Sequence, residues 1–222
     1  VSRGLGACGD KTEDAGAGDY LRYLQPQVDG TAVAFHALNR GKRSAILDLK
    51  HPDGPATFMR LAGAYDVVFE QFRPGVMDRL GIGHAALRAA HPKLIVCALT
   101  GYGQTGPLAQ KAGHDLNYLA RAGILGLQGP LGGPPQVPAV QLADVSGGMW
   151  CAIAILAALR RRDQTGEGDV LDIAMSEGVL GFASLAVTAA LNGAPPAAGD
   201  DVLSGGIAPY QTYLSGDDVP VT

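Results

Sequence analysis

The sequence is short of cysteine, of aromatic residues and of positive charge. Its three cysteines, Cys8, Cys97 and Cys151, are odd in number, far apart and without a Cys-x-x-Cys pair, so they suggest neither a disulfide framework nor a zinc site. Cys97 and Cys151 stand in apolar runs and read as small core residues. Lysine and arginine number 17 against 21 aspartates and glutamates, a net charge of −4. That balance does not offer nucleic acid the basic surface its phosphates demand, and no nucleic-acid partner is expected. The longest apolar run, Met149 to Leu159, stops at Arg160-Arg161-Arg162 and falls short of the ~20 residues a bilayer span needs. No membrane partner is expected. The N-terminus has no basic start leading into an apolar centre, so a signal peptide is not read there and the cytoplasm is the expected location. A Walker loop, a Gly-x-Ser-x-Gly elbow, a His-Glu-x-x-His pair and an EF-hand loop are also absent. P-loop NTPases, serine hydrolases and the common metal enzymes therefore lose their specific support.

What is present is an apolar chain with a legible order. The 222 residues are 47% hydrophobic, enough for one large domain or two small ones with a substantial core. Residues 1–30 show little periodicity and carry no assigned element. From Arg43 the pattern alternates. A strand over 44–49, a helix opening at Pro52-Asp53-Gly54, a strand over 66–70, short helices over 75–80 and 85–90, and an apolar strand over 94–99 follow in turn. Such alternation with short connections predicts an α/β fold, a parallel doubly wound, Rossmann-like sheet with flanking helices. Helical spacing continues over 116–127, 146–162 and 176–191, with a strand over 169–175. The Gly- and Asp-rich tail holds a short strand near Pro209 to Tyr213 and ends on Val219 to Thr222, which looks like a strand without a partner.

In open parallel sheets ligands sit beyond the carboxyl ends of the strands. The loop Thr100 to Gly106 there spells Gly-x-Gly-x-x-Gly, but Pro107 and further polar loop follow instead of a helix. A plain glycine loop is the better reading than a dinucleotide fingerprint. Two other stretches stand where a loop feeds a helix: Gly113-His114-Asp115 and, thirty residues on, Ala143-Asp144-Val145. A histidine after a glycine serves more often as a structural hydrogen-bonder, and an aspartate before a helix more often as a cap. As a pair they are also candidate acid/base groups.

The residues Asn39-Arg40-Gly41-Lys42-Arg43-Ser44 with Leu47-Asp48-Leu49-Lys50 are the first of six motifs that fall in order over roughly residues 39–193. Phe72-Arg73-Pro74-Gly75, Gly101-Tyr102-Gly103-Gln104-Thr105-Gly106-Pro107, Gly113-His114-Asp115-Leu116-Asn117-Tyr118, Ala143-Asp144 and Thr165-Gly166-Glu167-Gly168 complete the set. Together they resemble the family III CoA-transferase superfamily (CaiB/BaiF type), and within it most closely the branch of α-methylacyl-CoA racemases. The resemblance implies catalytic roles for His114 and Asp144 as the two bases of a 1,1-proton transfer on a 2-methylacyl-CoA thioester, through an enolate. It implies CoA contacts at Leu47, Asp48, Leu49, Lys50, Gly113, Asp115 and Tyr118, and Arg73 is added on its charge as a phosphate contact whose competing role is a surface ion pair. CoA enters as part of the substrate, with no prosthetic group and no metal, and a homodimer is the implied assembly. Donors for the enolate oxygen are expected at the start of the helix after Asp144, around Gly147-Gly148.

The same resemblance divides the chain into a large CoA-binding domain over 1–193, lacking its first strand and helix, and a linker with the start of a smaller domain over 194–222. The chain is expected to be truncated at both ends, and Leu5-Gly6-Ala7 only faintly matches the end of the missing opening unit. Two rival readings stay open. In one, Asp144 is the nucleophile of a CoA-transferase; in the other, the chain is a remnant that binds CoA without turnover.

Overall fold

The computed structural model describes residues 6–221; Leu5 and Thr222, named above, lie outside the described residues. The strands are β1 (Asp10–Glu13), β2 (Gln27–Val28), β3 (Thr31–Ala32), β4 (Arg43–Ile46), β5 (Val67–Glu70), β6 (Ile95–Thr100), β7 (Asp169–Ala174), β8 (Tyr213–Leu214) and β9 (Pro220–Val221). The helices are α1 (Val33–Asn39), α2 (Gly54–Ala62), α3 (Val76–Arg79), α4 (His84–Ala90), α5 (Asp115–Arg121), α6 (Leu142–Thr165), α7 (Met175–Leu180) and α8 (Ser184–Leu191). Strands β5, β6 and β7 form one sheet with β6 in the middle, and β1 pairs parallel with β4. These parallel sheets with flanking helices are the α/β Rossmann-like fold that the alternation predicts.

The centre of the sheet follows from composition. Ile95, Val96, Cys97 and Ala98 of β6 have no exposed surface, as an unbroken apolar run covered on both faces requires. Each large aliphatic side chain buried there contributes about 1.5–3 kcal/mol. Cys97 meets Cys151 of α6 through a thiol hydrogen bond, so both cysteines are the core residues expected of them.

The chain forms two compact units. Unit 1 comprises Val1–Val68, Gly75–Val96 and Ala154–Val170, and its core gathers Ala62, Met77, Ile82, Leu87, Leu94 and Val96. In the same unit Arg161 pairs with Asp169 at 2.7 Å and Arg162 with Asp66 at 2.9 Å, and of the arginine triplet Arg162 lies in the last turn of α6. Unit 2 comprises Phe69–Pro74, Cys97–Ile153 and Leu171–Thr222. Its core gathers Tyr118, Leu119, Ile124, Ala143, Val179 and Ala183.

Several elements depart from the sequence reading. The silent first thirty residues hold β1 and β2, and β3, which closes a hairpin on β2, and α1 follow them. Strand β1 reads Asp-Lys-Thr-Glu, with no apolar alternation, and is fixed by charge: Asp10 accepts from Arg43 at 2.6 and 2.7 Å. Glu13 accepts from Arg22 at 2.8 and 2.7 Å and from Ser44 at 2.7 Å. The hairpin turns on Asp29 and Gly30, both at positive φ, the backbone that a two-residue hairpin loop needs. The strand over 44–49 stops at Ile46, because the Asp48 carboxylate accepts from the Lys50 N–H at 2.8 Å and bends the chain into a turn. The helix over 176–191 is broken by a 3-10 turn at Gly181–Ala183, beside the poor helix formers Gly178 and Gly181. In the tail, a 3-10 turn over Ala208–Tyr210 displaces the strand to β8, and β9 has an antiparallel partner in it.

Helix α6 begins at Leu142, earlier than expected, and its 24 residues reach a mean hydropathy of 1.8 over the most apolar stretch. By length and composition it could cross a bilayer, which corrects the count that ended at Leu159. Here it lies close against β6 and α7: a Cβ on Gly147 would stand 3.0 Å from Leu99 Cδ1 and 2.8 Å from Met175 Cγ. Length therefore gives the expectation of no membrane partner no support.

Candidate active site

Asp144 is the third residue of α6, inside the first turn and not before it. The reason is Asp115. Its Oδ1 accepts from the backbone N–H of Ala143 at 2.7 Å and of Asp144 at 3.1 Å, so a side chain from α5 serves as the cap of α6. Val145 N–H bonds to Gln141 O at 2.9 Å. These first amides are thus already occupied. Gly147 and Gly148 stand within the helix, and the expectation of enolate donors at this helix start is overturned. The role the structure gives Gly147 is close packing.

A carboxylate in a first helical turn is ordinarily made more acidic by the helix dipole. Asp144 departs the other way. Its pKa is raised, first because the protein around it displaces water from the carboxyl and second because Asp115 sets a like charge beside it; His114 opposes both. The residue nonetheless keeps an exposed surface, open to a ligand. The imidazole of His114 lies within electrostatic range of Asp144, and the cap that Asp115 supplies ties the start of α5 to the start of α6.

His114 is the N-cap residue of α5. Its backbone N–H donates to Asn117 Oδ1 at 3.0 Å, which fixes the loop while the side chain remains exposed. One turn on, the buried Tyr118 donates its hydroxyl to Gly113 O at 2.6 Å and meets Tyr102 edge to face at 5.1 Å. A Cβ on Gly113 would stand 2.7 Å from Tyr118 Cε1, and one on Gly101 would meet the same ring. Both glycines are there so that the backbone can approach the ring. Burial raises the Tyr118 pKa, with further contributions from Tyr102 and Asp144, and Arg73 acts against them. Arg73 therefore stands within electrostatic range of Tyr118.

Arg73 is exposed on the loop after β5, which is held by Glu70 accepting from Phe72 N–H at 2.7 Å and by Gln110 donating to Pro74 O at 3.1 Å. Unit 2 thus carries Arg73, Gly113, His114, Asp115, Tyr118 and Asp144. Leu47, Asp48, Leu49 and Lys50 lie in unit 1, in the turn after β4, where Leu47 and Leu49 are half-buried and Asp48 and Lys50 exposed. A shallow cavity of about 170 Å³ opens beside this turn, lined by Leu47, Asp48, His51, Gly54 and Thr57 among others. The glycine loop after β6 is confirmed as a loop: Gly103 N–H bonds to Thr100 Oγ1 at 2.9 Å, and Gln104 N–H to both oxygens of Asp172 at 3.1 and 2.9 Å. Sequence reasoning missed the capping role of Asp115 and the anchoring role of Asp172. The first had a signal in its neighbours His114 and Asn117; the second had none.

Among the described residues no group of three His, Cys, Asp or Glu side chains is placed to hold a metal ion. The fold is parallel α/β, with His114 at the start of α5 and the Asp144 carboxyl, its pKa raised, in the first turn of α6. Residues 5–222 match the sequence profile of CoA-transferase family III, and the chain belongs to that family. Among its relatives, α-methylacyl-CoA racemase of Homo sapiens is 41% identical over 198 residues, 88% of this chain and 52% of that protein. Acetyl-CoA:oxalate CoA-transferase of Acetobacter aceti is 40% identical over 179 residues, 80% of this chain and 46% of that protein. A CaiB/BaiF family protein from Brucella suis has a similar structure, with a TM-score of 0.87 at 36% identity, covering 96% of this chain and 58% of that one. The chain spans about half the length of the curated relatives it matches. Racemases and CoA-transferases both occur among those relatives, transferases under more of the names.

Proposed function

We propose that the protein is an acyl-CoA enzyme whose reacting group is Asp144, and that the reaction is CoA transfer between carboxylic acids. The observation that carries this is the raised pKa of an accessible carboxylate held in the first turn of α6. Raising the pKa of a carboxylate makes its ionised form a stronger nucleophile. The Asp144 oxygen adds to the thioester carbonyl and expels the CoA thiolate, leaving an acyl-aspartyl anhydride. The thiolate then attacks the aspartyl carbonyl, releasing the donor acid and forming an enzyme thioester. An acceptor carboxylate reverses the sequence and leaves as the new acyl-CoA. One carboxylate suffices for every step, and the preponderance of transferase names among the relatives supports the same choice. This reverses the order in which the sequence alone ranks the two reactions.

The second reading, racemisation of a 2-methylacyl-CoA, is favoured by one specific observation: His114 lies within electrostatic reach of Asp144. There one group removes the α-proton and the other returns a proton to the opposite face. Under either reading, Leu47 to Lys50, Arg73, Gly113 and Tyr118 are proposed CoA contacts, with CoA as substrate and no prosthetic group, while Asp115, expected among them, faces the backbone of α6. A homodimer, a cytoplasmic location and a division at residue 193 are carried as parts of the proposal; light scattering on the complete protein tests the first.

Hydroxylamine treatment during turnover is expected to convert Asp144 to a hydroxamate, located by peptide mass spectrometry. Incubation with a chiral 2-methylacyl-CoA in heavy water, without an acceptor acid, is expected to leave the α-carbon free of deuterium. Deuterium at that carbon together with an unmodified Asp144 would establish racemisation and overturn CoA transfer.

A further inference from the structure

Asp115 was expected to touch CoA, yet both contacts of its Oδ1 face the backbone that carries Asp144. A neutral side chain could cap α6 as well: asparagine ranks with aspartate at helix N-termini. What only aspartate adds is a negative charge next to another carboxylate. That charge counters the positive end of a 24-residue helix at the one place where the helix would make Asp144 more acidic. Asp115 also follows His114 directly, so one residue joins the loop that carries the imidazole to the turn that carries the carboxylate.

We propose that Asp115 is the positioning residue of this site: through its two backbone hydrogen bonds it sets where Asp144 stands, and it holds its own charge beside the first turn that carries Asp144. The inference rests on Asp144 being the reacting carboxylate, under either reaction. The groups that bear on Asp144 are Asp115, which raises its pKa, His114, which lowers it, and Tyr118, which lies in its field with Arg73 beyond. Loss of the Asp115 charge leaves only partial burial to oppose His114 and the helix dipole, so the Asp144 midpoint moves to lower pH.

Asp115→Asn keeps the acceptor oxygen and removes the charge; Asp115→Ala removes both. In the complete protein with 13C-labelled aspartate carboxyls, the Asp144 resonance is assigned by its absence from Asp144→Asn. Asp115→Asn is expected to lower the Asp144 midpoint and to move the acid limb of the pH–kcat profile the same way, with KM for acyl-CoA little changed. Asp115→Ala should lose roughly 10- to 100-fold in kcat, the cost of a displaced reacting group. An unchanged Asp144 midpoint in Asp115→Asn overturns the proposal, as does a large rise in KM with kcat retained, which would restore Asp115 as a CoA contact. If neither variant folds, hydrogen exchange in the native protein decides: the Ala143 and Asp144 amides must be protected, and free exchange at both refutes the two bonds. The titration is read without turnover, so it stands apart from the reaction itself. Full activity in Asp144→Asn would sink the functional reading and leave the Asp115 result to be judged by its own resonance.

Discussion

Glu13 and Asp144 are both carboxylates near helix or strand ends, and the protein treats them in opposite ways. In unit 1, Glu13 is buried and receives Arg22, Ser44 and the Asp19 N–H. The Arg22 hydrogen bonds, partly offset by burial, lower its pKa from 4.5 to about 2. In unit 2, Asp144 keeps an exposed surface and has a like charge for a neighbour, and its pKa is raised. A carboxylate given cations is committed to holding strands together. One given partial desolvation and another carboxylate is kept reactive. The direction of the shift separates structure from chemistry where burial alone would rank the wrong residue first.

The contrast can be broken most severely at Asp144. Asp144→Asn is expected to reduce turnover on the order of 10³-fold or more, with the urea midpoint unchanged; a stability loss without an activity loss would erase the distinction. Next, Gly113→Ala should destabilise by about 1–3 kcal/mol as Tyr118 is forced aside, read by chemical denaturation. Smaller again, Glu13→Gln should cost about 1–2 kcal/mol by the same measurement, the worth of charge-assisted hydrogen bonds. It should act on pH dependence too. Because the folded pKa of Glu13 is depressed, its contribution is present above pH 4.5 and is lost as pH falls towards about 2, so Glu13→Gln should flatten acid unfolding across that window. Asp144 has the opposite sign: its raised pKa favours the folded state while protonated, a contribution lost as pH rises through the folded value. The smallest effect belongs to Arg43→Ala. Its ion pair with Asp10 is formed by a side chain 79% exposed, and its loss should cost less than about 1 kcal/mol in chemical denaturation.

The same two regions explain what was legible in the sequence. Strand β6 announces itself because Ile95 to Ala98 are apolar without interruption, and its burial has no other solution. Strand β1 does not, because Lys11, Thr12 and Glu13 carry no periodicity, and the partners that fix it, Arg43 and Ser44, arrive some thirty residues later. His114 and Asp144 were found through motif resemblance, and Asp115, the residue after His114, caps the helix that carries Asp144. The start of α6 was misplaced because its cap, Asp115, comes from another helix, and no local signal at Val140 or Gln141 reports it. Long-range hydrogen bonds by carboxylates are the common element in the misses. Apolar pattern records what is buried; it does not record which distant backbone a charged side chain will hold.

Gly147 gives that lesson a practical form. It lies three residues after Asp144, almost one turn along the same helix, with Leu99 and Met175 against its bare Cα. Its missing side chain works as a spacer gauge that fixes how deeply the first turn of α6 is seated. A methyl group added there would stand 2.8 Å from Met175 Cγ and 3.0 Å from Leu99 Cδ1, so either those side chains or the first turn of α6 must give way. The position offers a handle for tuning the reach of the carboxylate separately from its charge.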